Sequence, residues 1–349
     1  MYRVRAINLQ DTHDLESLTA TTGTTQACLP KTPASIHQWI KCSIDSFNHK
    51  ISQSDGHLMQ DNKPERHYVW GLEYIDNKDK RIVGCIAVEA ITGAPEPFYS
   101  YRRETLINAS YRLKVKQDIP VLYQSHELAN YSHIYAFTVD KTHRTQDNLC
   151  LLLQAILLYI SEYPNRFSNK LLVEFPGFKD ERGLSPLWQD LGQHFFQMNL
   201  EQACWHASQE DKALIAQLMP NHPLYENLLN ETAQNTLGVP QQDLLDYFEV
   251  FKQEGFLPSN HIDIFDGGPC LICNTQQSWS IQQSARVKFG RQTEFTKPHI
   301  VADISAHKPM TIRATNLADT EALKLDNDQW LRSVEQLRLT DPNQSNSFN

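Results

Sequence analysis

The sequence has no long hydrophobic run and no excess of positive charge. No stretch approaches the roughly 20 apolar residues of a membrane-spanning helix, and Met1–Ile7 lacks the apolar segment of a signal peptide. Asp and Glu outnumber Lys and Arg by 41 to 32, so no basic stripe is present to displace counterions from nucleic acid or from an anionic membrane. We therefore expect a cytoplasmic protein with no nucleic-acid partner and no membrane partner.

Paired cysteines and metal-ligand spacings are also scarce. The seven cysteines are odd in number and scattered, which favours reduced thiols over a disulfide framework. Cys270 and Cys273 form one C-x-x-C motif without a second pair or a nearby histidine, so a zinc or redox role is the minor alternative. The histidines show no His-x-x-x-His spacing. We predict no metal site and no permanently bound cofactor.

The strongest local pattern lies in the middle of the chain. Ile134–Val139 is a short apolar and β-branched run that predicts a buried strand, and Asp140–Asn148 is a polar turn. Leu149–Tyr163 is apolar nearly all round, which predicts a deeply packed helix that ends before Pro164. Such a unit can point backbone N–H groups at a phosphorylated ligand. A plain strand–helix unit stays open as the alternative, because the turn contains no glycine.

Periodicity predicts a strand, two helices and a hairpin before this unit, and a strand, helices and short β segments after it. Pro95–Arg103 is aromatic and charged without periodicity and is predicted to be a loop, either packed or lining a pocket. We predict one region over 1–270 with a break near 200–240, a small mainly β subdomain over 271–340, and a disordered tail over 341–349. The predicted elements are Tyr2–Asn8, Asp11–Gly23, a helix from Pro33, Tyr68–Ile75, Arg81–Ala90, Lys170–Phe175, Ser185–Phe196, Lys212–Met219, Asp243–Glu254 and His261–Phe265.

This element order resembles that of the GNAT superfamily of acyl-CoA-dependent N-acyltransferases, and several sequence blocks resemble one family, arginine N-succinyltransferase. The blocks keep their order and spacing from the first strand to about Asp328. They are Glu96–Arg102, Asp180–Trp188 with Leu191-Gly192 and Phe195-Phe196, Ala216–Tyr225, Glu254–Phe256 and Ile262–Pro269.

The resemblance implies an α+β fold: a GNAT-like acyl-CoA N-acyltransferase fold with a small C-terminal mainly-β subdomain. It implies transfer of a succinyl group from succinyl-CoA, as co-substrate, to the α-amine of L-arginine. It also implies a homo-oligomer or one subunit of a hetero-oligomer. Two alternatives remain: a catalytically silent or regulatory subunit of such an assembly, and an N-acyltransferase for another amine.

The sequence departs from the family where chemistry is expected. Gln241 stands where the family has a histidine assigned as proton donor, and a glutamine cannot titrate. Asp147–Leu149 replaces a Gly-Asn-Gly turn, which places a carboxylate where pyrophosphate would bind. Glu174–Gly177 replaces Glu-Met-Arg-Gly and so lacks an arginine, while His126–Asn130 is closer to the α subunit of the two-subunit form of the enzyme.

The reaction needs a base for the amine, donors for the oxyanion and an acid for the leaving thiolate. His222, in the Met-Pro-Asn-His-Pro block, and Glu89, at a strand end, are the catalytic candidates. The structural alternatives are a histidine that fixes a tight turn between two prolines for His222, and a surface or salt-bridged carboxylate for Glu89.

The remaining candidates bind ligands. Strand residues Phe137, Thr138 and Val139, with Arg144 and Asn148 of the turn, are the candidates for binding acyl-CoA; Phe137 stands where the family has a leucine. Tyr99 and Arg102 are candidates for the substrate carboxylate, and Glu174, Asp263 and Asp266 for the amine or guanidinium, which calls for carboxylates. Tyr99, Arg102 and Asp266 also have structural alternatives, in the loop and the turn that contain them.

Overall fold

The computed structural model describes residues 1–22, 29–30, 32–49, 66–76, 79–93, 97–209, 219–220, 222–288, 299–303, 312–315 and 330–335. The strands are β1 (Tyr2–Ala6), β2 (His67–Asp76), β3 (Asp79–Glu89), β4 (Ser100–Ser110), β5 (Val115–Ser125), β6 (Ser132–Val139), β7 (Lys170–Glu174), β8 (Leu224–Tyr225), β9 (Leu257–Ile262), β10 (Pro269–Asn274), β11 (Ala285–Lys288), β12 (His299–Asp303), β13 (Ile312–Thr315) and β14 (Trp330–Glu335). The helices are α1 (Thr12–Thr22), α2 (Pro33–Asn48), α3 (Gln146–Glu162), α4 (Gln193–Phe196), α5 (Leu200–Gln209), α6 (Glu231–Thr236), α7 (Leu245–Gln253) and α8 (Trp279–Gln283).

The described strands join in one mostly antiparallel sheet within a mixed α/β fold. Its fourteen strands run in the order β11-β14-β12-β13-β1-β2-β3-β6-β7-β10-β9-β4-β5-β8. The β2–β3 hairpin has the predicted pairing, with Asp76 opposite Asp79 across the turn. The pair β6 and β7 is the parallel one among the described pairings, because α3 forms the crossover between them.

Helix α3 is the buried centre predicted by its composition. Every residue from Asn148 to Ile160 is buried, and the helix packs on one face of the central strands. Helices α1 and α2 cover the opposite face. Thr145 caps the N terminus of α3, where its Oγ1 accepts a hydrogen bond from Asn148 N at 3.3 Å. The central sheet is therefore covered on both faces.

Strands β4 and β5 were missed by sequence reasoning. The prediction of a loop over Pro95–Arg103 is wrong from Ser100 onward, because Ser100 begins an eleven-residue strand paired along its length with β5. The far half of this hairpin, including Ile107 and Tyr111, is largely exposed. Since neither face is buried there, the sequence shows none of the apolar alternation that predicts a strand.

The C-terminal strands extend this same sheet. Strand β10 lies between β7 and β9 and crosses the boundary predicted at residue 270, while β13 adds to β1. The division into 1–270 and 271–340 stays a prediction. The predicted tail over 341–349 and most of the predicted helix Lys212–Met219 lie outside the described residues.

The Glu254-Gly255-Phe256 block forms a buried junction. Glu254 is fully buried at the end of α7, where its carboxylate accepts hydrogen bonds from Ser280 Oγ at 2.6 Å, Ser280 N at 3.0 Å and Ser278 Oγ at 3.3 Å. Gln154 of α3 donates to Ser280 Oγ at 2.9 Å. Burial raises the pKa of Glu254, while the hydrogen bonds from Ser280 and Ser278 oppose the rise. The network joins α3, α7 and α8.

We expect Glu254→Ala to lower the free energy of unfolding by about 3 kcal/mol, because it leaves several buried donors unpaired. Glu254→Gln, which keeps a carbonyl acceptor, should cost only about 1 kcal/mol. Denaturant titration measures both. Glu249→Ala, at an exposed position of the same helix, is the matched control and should change stability by less than about 0.5 kcal/mol. An alanine at 254 as stable as wild type would contradict this account.

Candidate functional site

A cavity of about 700 Å³ opens where β6 and β7 separate. The two strands pair only from Ser132 to Ile134 of β6, and the residues 134–137 of β6 and 173–176 of β7 and the segment after it line the cavity. Ala136 has a φ of +54°, and the register between β6 and β3 shifts beside it. This β-bulge bends β6 at the mouth of the gap. The fold therefore opens a cleft at the carboxyl ends of its central parallel strands.

Aromatic side chains form the wall provided by α7. Phe137 packs edge-on against Tyr247 with ring centroids 4.8 Å apart, and Phe251 also lines the cavity. The Tyr247 hydroxyl accepts a hydrogen bond from Val139 N at 3.0 Å. Thr138, between these two strand residues, is 2% exposed. Of the three strand residues predicted to bind acyl-CoA, Phe137 lines the cavity. Thr138 is buried, and the backbone N–H of Val139 is hydrogen-bonded to Tyr247.

Three of the predicted substrate-binding residues line the cavity together: Glu174, Asp263 and Asp266. Asp263 Oδ1 accepts hydrogen bonds from Phe265 N at 2.7 Å and from Asp266 N at 3.1 Å, and Asp266 Oδ1 accepts one from Gly268 N at 2.9 Å. Burial and the neighbouring charge of Asp263 raise the pKa of Asp266 to about 7. Adjacent carboxylates in a largely apolar cavity favour a cationic ligand, whose charge would relieve their repulsion.

Close backbone packing holds these carboxylates in place. A methyl group on Gly177 would lie 2.5 Å from Asp266 O, and one on Gly268 would overlap the carbonyl oxygen of Phe175. Gln241 N donates to Pro176 O at 2.8 Å, so Gln241 lies against the cavity rim. Its side chain donates to Asp243 Oδ1 at 2.6 Å.

A polar cluster that sequence reasoning missed lies on the wall covered by α2. Trp39 Nε1 donates to Tyr135 Oη at 2.8 Å, and Tyr135 Oη lies 2.8 Å from His67 Nδ1. All three residues line the cavity. The sequence predicts Trp39 within the helix from Pro33 and Tyr135 within the buried strand Ile134–Val139. A polar signal was available in the aromatic N–H and O–H groups themselves, because such groups need partners when buried.

Glu89 lies beside this cluster. It is opposite His67 in the β2–β3 register and opposite His133 in the β3–β6 register. Glu89 Oε2 is 3.7 Å from His133 Nδ1. The predicted catalytic carboxylate is therefore one strand away from a cavity histidine, without being among the residues that line the cavity.

Tyr99, Arg102 and His222 are not among the cavity-lining residues. Tyr99 is buried against His126, with ring centroids 4.4 Å apart. Arg102 forms ion pairs with Glu104 at 2.6 Å and with Glu127. His222 is exposed next to β8, at the edge of the sheet. The functions predicted for these residues stay predictions.

The polar residues of the β6–α3 turn contact the protein's own groups. Arg144 forms a bidentate pair with Asp246 at 2.5 and 2.7 Å and lies 4.8 Å above the Tyr247 ring. Asn148 Nδ2 donates to His143 O at 2.7 Å. The turn is thereby joined to α7, and its predicted contact with a CoA phosphate stays a prediction.

The described part of the chain contains no cluster of three or more His, Cys, Asp or Glu residues placed to hold a metal ion. None of its helices is long and apolar enough to cross a membrane.

Three comparisons place this chain among known proteins. A family model described as arginine N-succinyltransferase beta subunit matches residues 2–280. The arginine N-succinyltransferase of Yersinia enterocolitica is 31% identical over 288 residues, covering 82% of this chain and 80% of that protein. The protein of the same name from Escherichia coli strain 55989 is 31% identical over 332 residues, covering 94% of this chain and 93% of that protein.

A solved structure shares the fold. The structure of arginine/ornithine succinyltransferase subunit AI from Pseudomonas aeruginosa superposes with a TM-score of 0.82 at 27% identity, covering 97% of this chain and 99% of that one. The family match spans well over half of the chain, and the relatives exceed 30% identity across most of it. The chain therefore belongs to the arginine N-succinyltransferase family.

Proposed function

We propose that this protein transfers the succinyl group of succinyl-CoA to the α-amine of L-arginine. One observation carries the proposal beyond family membership: the cleft between β6 and β7 brings Glu174, Asp263 and Asp266 to one cavity. Carboxylates accept the forked N–H donors of a guanidinium group. Burial, together with the neighbouring charge of Asp263, raises the pKa of Asp266, and a bound cation would favour its ionised form.

We propose further that the central part of the fold is GNAT-like. The support is the parallel pair β6 and β7, which α3 connects. The two strands separate beyond Ile134, and β6 has a bulge at Ala136. In such a cleft an acyl thioester can lie along β6, where strand N–H groups can stabilise the oxyanion that forms on the carbonyl oxygen. Phe137 and the aromatic wall of α7 then exclude water from the reacting carbon.

The test compares L-arginine with L-citrulline, its uncharged analogue, in a thiol-release assay with succinyl-CoA. We expect arginine-dependent release of CoA and a kcat/KM for citrulline at least about 100-fold lower, because citrulline cannot form charge-assisted hydrogen bonds with the carboxylates. L-Ornithine, a shorter cation, distinguishes guanidinium from ammonium recognition. Equal use of arginine and citrulline would contradict the assignment of the carboxylates, and no turnover of any of the three would contradict the proposed function.

We also propose that the chain works in a homo-oligomer or a hetero-oligomer. The solved relative from Pseudomonas aeruginosa is itself titled a subunit. If the chain forms a homo-oligomer, sedimentation velocity of the purified chain should give a mass of at least two chains of 40.2 kDa each. A single monomeric species at micromolar concentration would rule out the homo-oligomer.

A further inference from the structure

The cavity contains a hydrogen-bonded chain of three side chains from three separate elements. Trp39 of α2 donates from Nε1 to Tyr135 Oη of β6 at 2.8 Å, and the same hydroxyl lies 2.8 Å from Nδ1 of His67 of β2. With Trp39 as donor to Tyr135 Oη, the single hydroxyl proton of Tyr135 can be donated to His67 Nδ1 when the histidine is the tautomer protonated on Nε2.

The position of these three hydrogen-bonded side chains in the fold favours a chemical role. Tyr135 immediately precedes the bulge at Ala136, at the point where β6 leaves β7 and the cavity begins. The His133 ring stacks on Tyr135 at 5.6 Å, and the His67 and Tyr135 rings meet edge-on at 5.7 Å. Aromatic packing therefore fixes the hydroxyl from several sides, and positioned groups of this kind suit proton transfer.

The residues that line the cavity point to the same pair. Gln241, whose backbone N–H donates to Pro176 O at the cavity rim, has a side-chain amide that cannot exchange a proton with the thiolate. Among the described cavity-lining residues, His67 is the histidine. The exposed His222 and the Glu89–His133 pair are not among those residues.

We propose that Tyr135 and His67 form the proton relay of the transfer reaction, with Trp39 as a positioning residue; this rests on the proposed function. The neutral amine bonds to the thioester carbonyl carbon and passes a proton to Tyr135 Oη, while the hydroxyl proton of Tyr135 moves to His67 Nδ1. When the C–S bond breaks and its electron pair leaves on sulfur, imidazolium His67 returns the proton through Tyr135 to the thiolate. Amide and free thiol form, and the relay regains its starting state.

The experiment measures steady-state kinetics of Tyr135→Phe and His67→Asn with succinyl-CoA and L-arginine. Each variant should lower kcat by about 100-fold or more, the usual contribution of acid–base catalysis, with less than about threefold change in either KM. His67→Asn keeps an oxygen acceptor near the place of Nδ1 but cannot take up the proton. Tyr101→Phe is the matched control: Tyr101 is a fully buried tyrosine outside the cavity, so its replacement should leave kcat within about twofold.

The outcomes separate the relay from the function. Active wild type with both variants near wild-type kcat would overturn the relay alone. Retained kcat in His67→Asn, or losses confined to KM, would leave a hydrogen-bonding or binding role and likewise overturn it. Inactive wild-type protein would overturn the proposed function and the relay with it. Circular dichroism of each variant and calorimetric binding of succinyl-CoA exclude unfolding as the cause of a loss.

Discussion

Asp266→Asn is expected to raise the KM for L-arginine by about 100-fold, because it removes one of the adjacent charges in the cavity while leaving succinyl-CoA binding unchanged. Removal of one member of a buried charge pair typically costs about 2–5 kcal/mol of binding free energy, which corresponds to a loss of about 30-fold or more in affinity. The same substitution should change the kinetics with L-citrulline by less than about threefold, since citrulline has no charge to pair. Asp266 contributes to arginine recognition only if the penalty depends on the charge of the substrate.

The control is Asp118→Asn, which removes a carboxylate from an exposed position of β5. It should alter no kinetic constant, which would exclude an effect of net charge alone. An arginine KM within threefold of wild type in Asp266→Asn, or equal losses for arginine and citrulline, would contradict the assignment.

The raised pKa of Asp266 also predicts a pH dependence. Since this carboxyl titrates near 7 in the folded protein, arginine should bind more tightly as the pH rises through 7 and release a proton on binding. Calorimetry in two buffers of different ionisation enthalpy measures that proton. Asp263 and Lys179 face the same group and modulate its titration. Absence of proton release near neutral pH would show that Asp266 is already ionised.

The raised pKa of Asp266 also makes stability depend on pH, in the direction opposite to its effect on arginine binding. A carboxyl whose pKa is higher in the folded chain than in the unfolded chain favours folding at low pH and loses that contribution as the pH rises through 7. Between about pH 5 and pH 8, the free energy of unfolding should therefore shift by about 2 kcal/mol in favour of Asp266→Asn over wild type. Denaturant titrations at the two pH values measure this difference.

Gly268→Ala is expected to be the most damaging single substitution near the site. Its methyl group would overlap Phe175 O and lie 2.7 Å from Gly177 N and 3.0 Å from Asp266 Oδ1, so the two loops must separate. We expect a loss of about 3 kcal/mol in the free energy of unfolding, together with loss of arginine turnover. Thermal unfolding and the thiol-release assay measure the two effects.

Gly183 provides the matched control. It has a φ of +76°, and a methyl group there would meet no atom within 4 Å. Gly183→Ala should therefore cost only the backbone strain of about 1 kcal/mol and keep arginine turnover. If Gly268→Ala were as mild as Gly183→Ala, the tight packing of the Asp266 loop would not be what positions the carboxylates.

Local sequence patterns were sufficient to predict the elements at the centre of the fold. The apolar run of α3, the start of α2 at Pro33 and the pairing of β2 with β3 each depend on residues close together in sequence, and the structure confirms all three. The β4–β5 hairpin was missed because its far half buries neither face. The joining of β13 to β1 depends on contacts between distant residues, which periodicity does not report.

The candidate site likewise combines features that the sequence predicts with features that depend on the assembled sheet. The cavity position of Glu174, Asp263 and Asp266 follows from their places at strand ends, which sequence blocks and strand predictions indicate. The contact of Tyr135 with His67 requires the order β2-β3-β6 and the bulge at Ala136, so it follows only from the assembled sheet. The pairing of Arg144 with Asp246 joins residues 102 positions apart, so the sequence alone does not indicate this partner for a residue predicted to bind acyl-CoA.

The most direct test of the central claim is one calorimetric titration of the purified chain with succinyl-CoA, followed on the same sample by thiol release with and without L-arginine. We predict saturable binding and release of CoA that depends on arginine, with N-succinylarginine detected by mass spectrometry. No binding near millimolar succinyl-CoA, or binding without arginine-dependent release, would contradict the assignment of this cleft as a succinyl-transfer site.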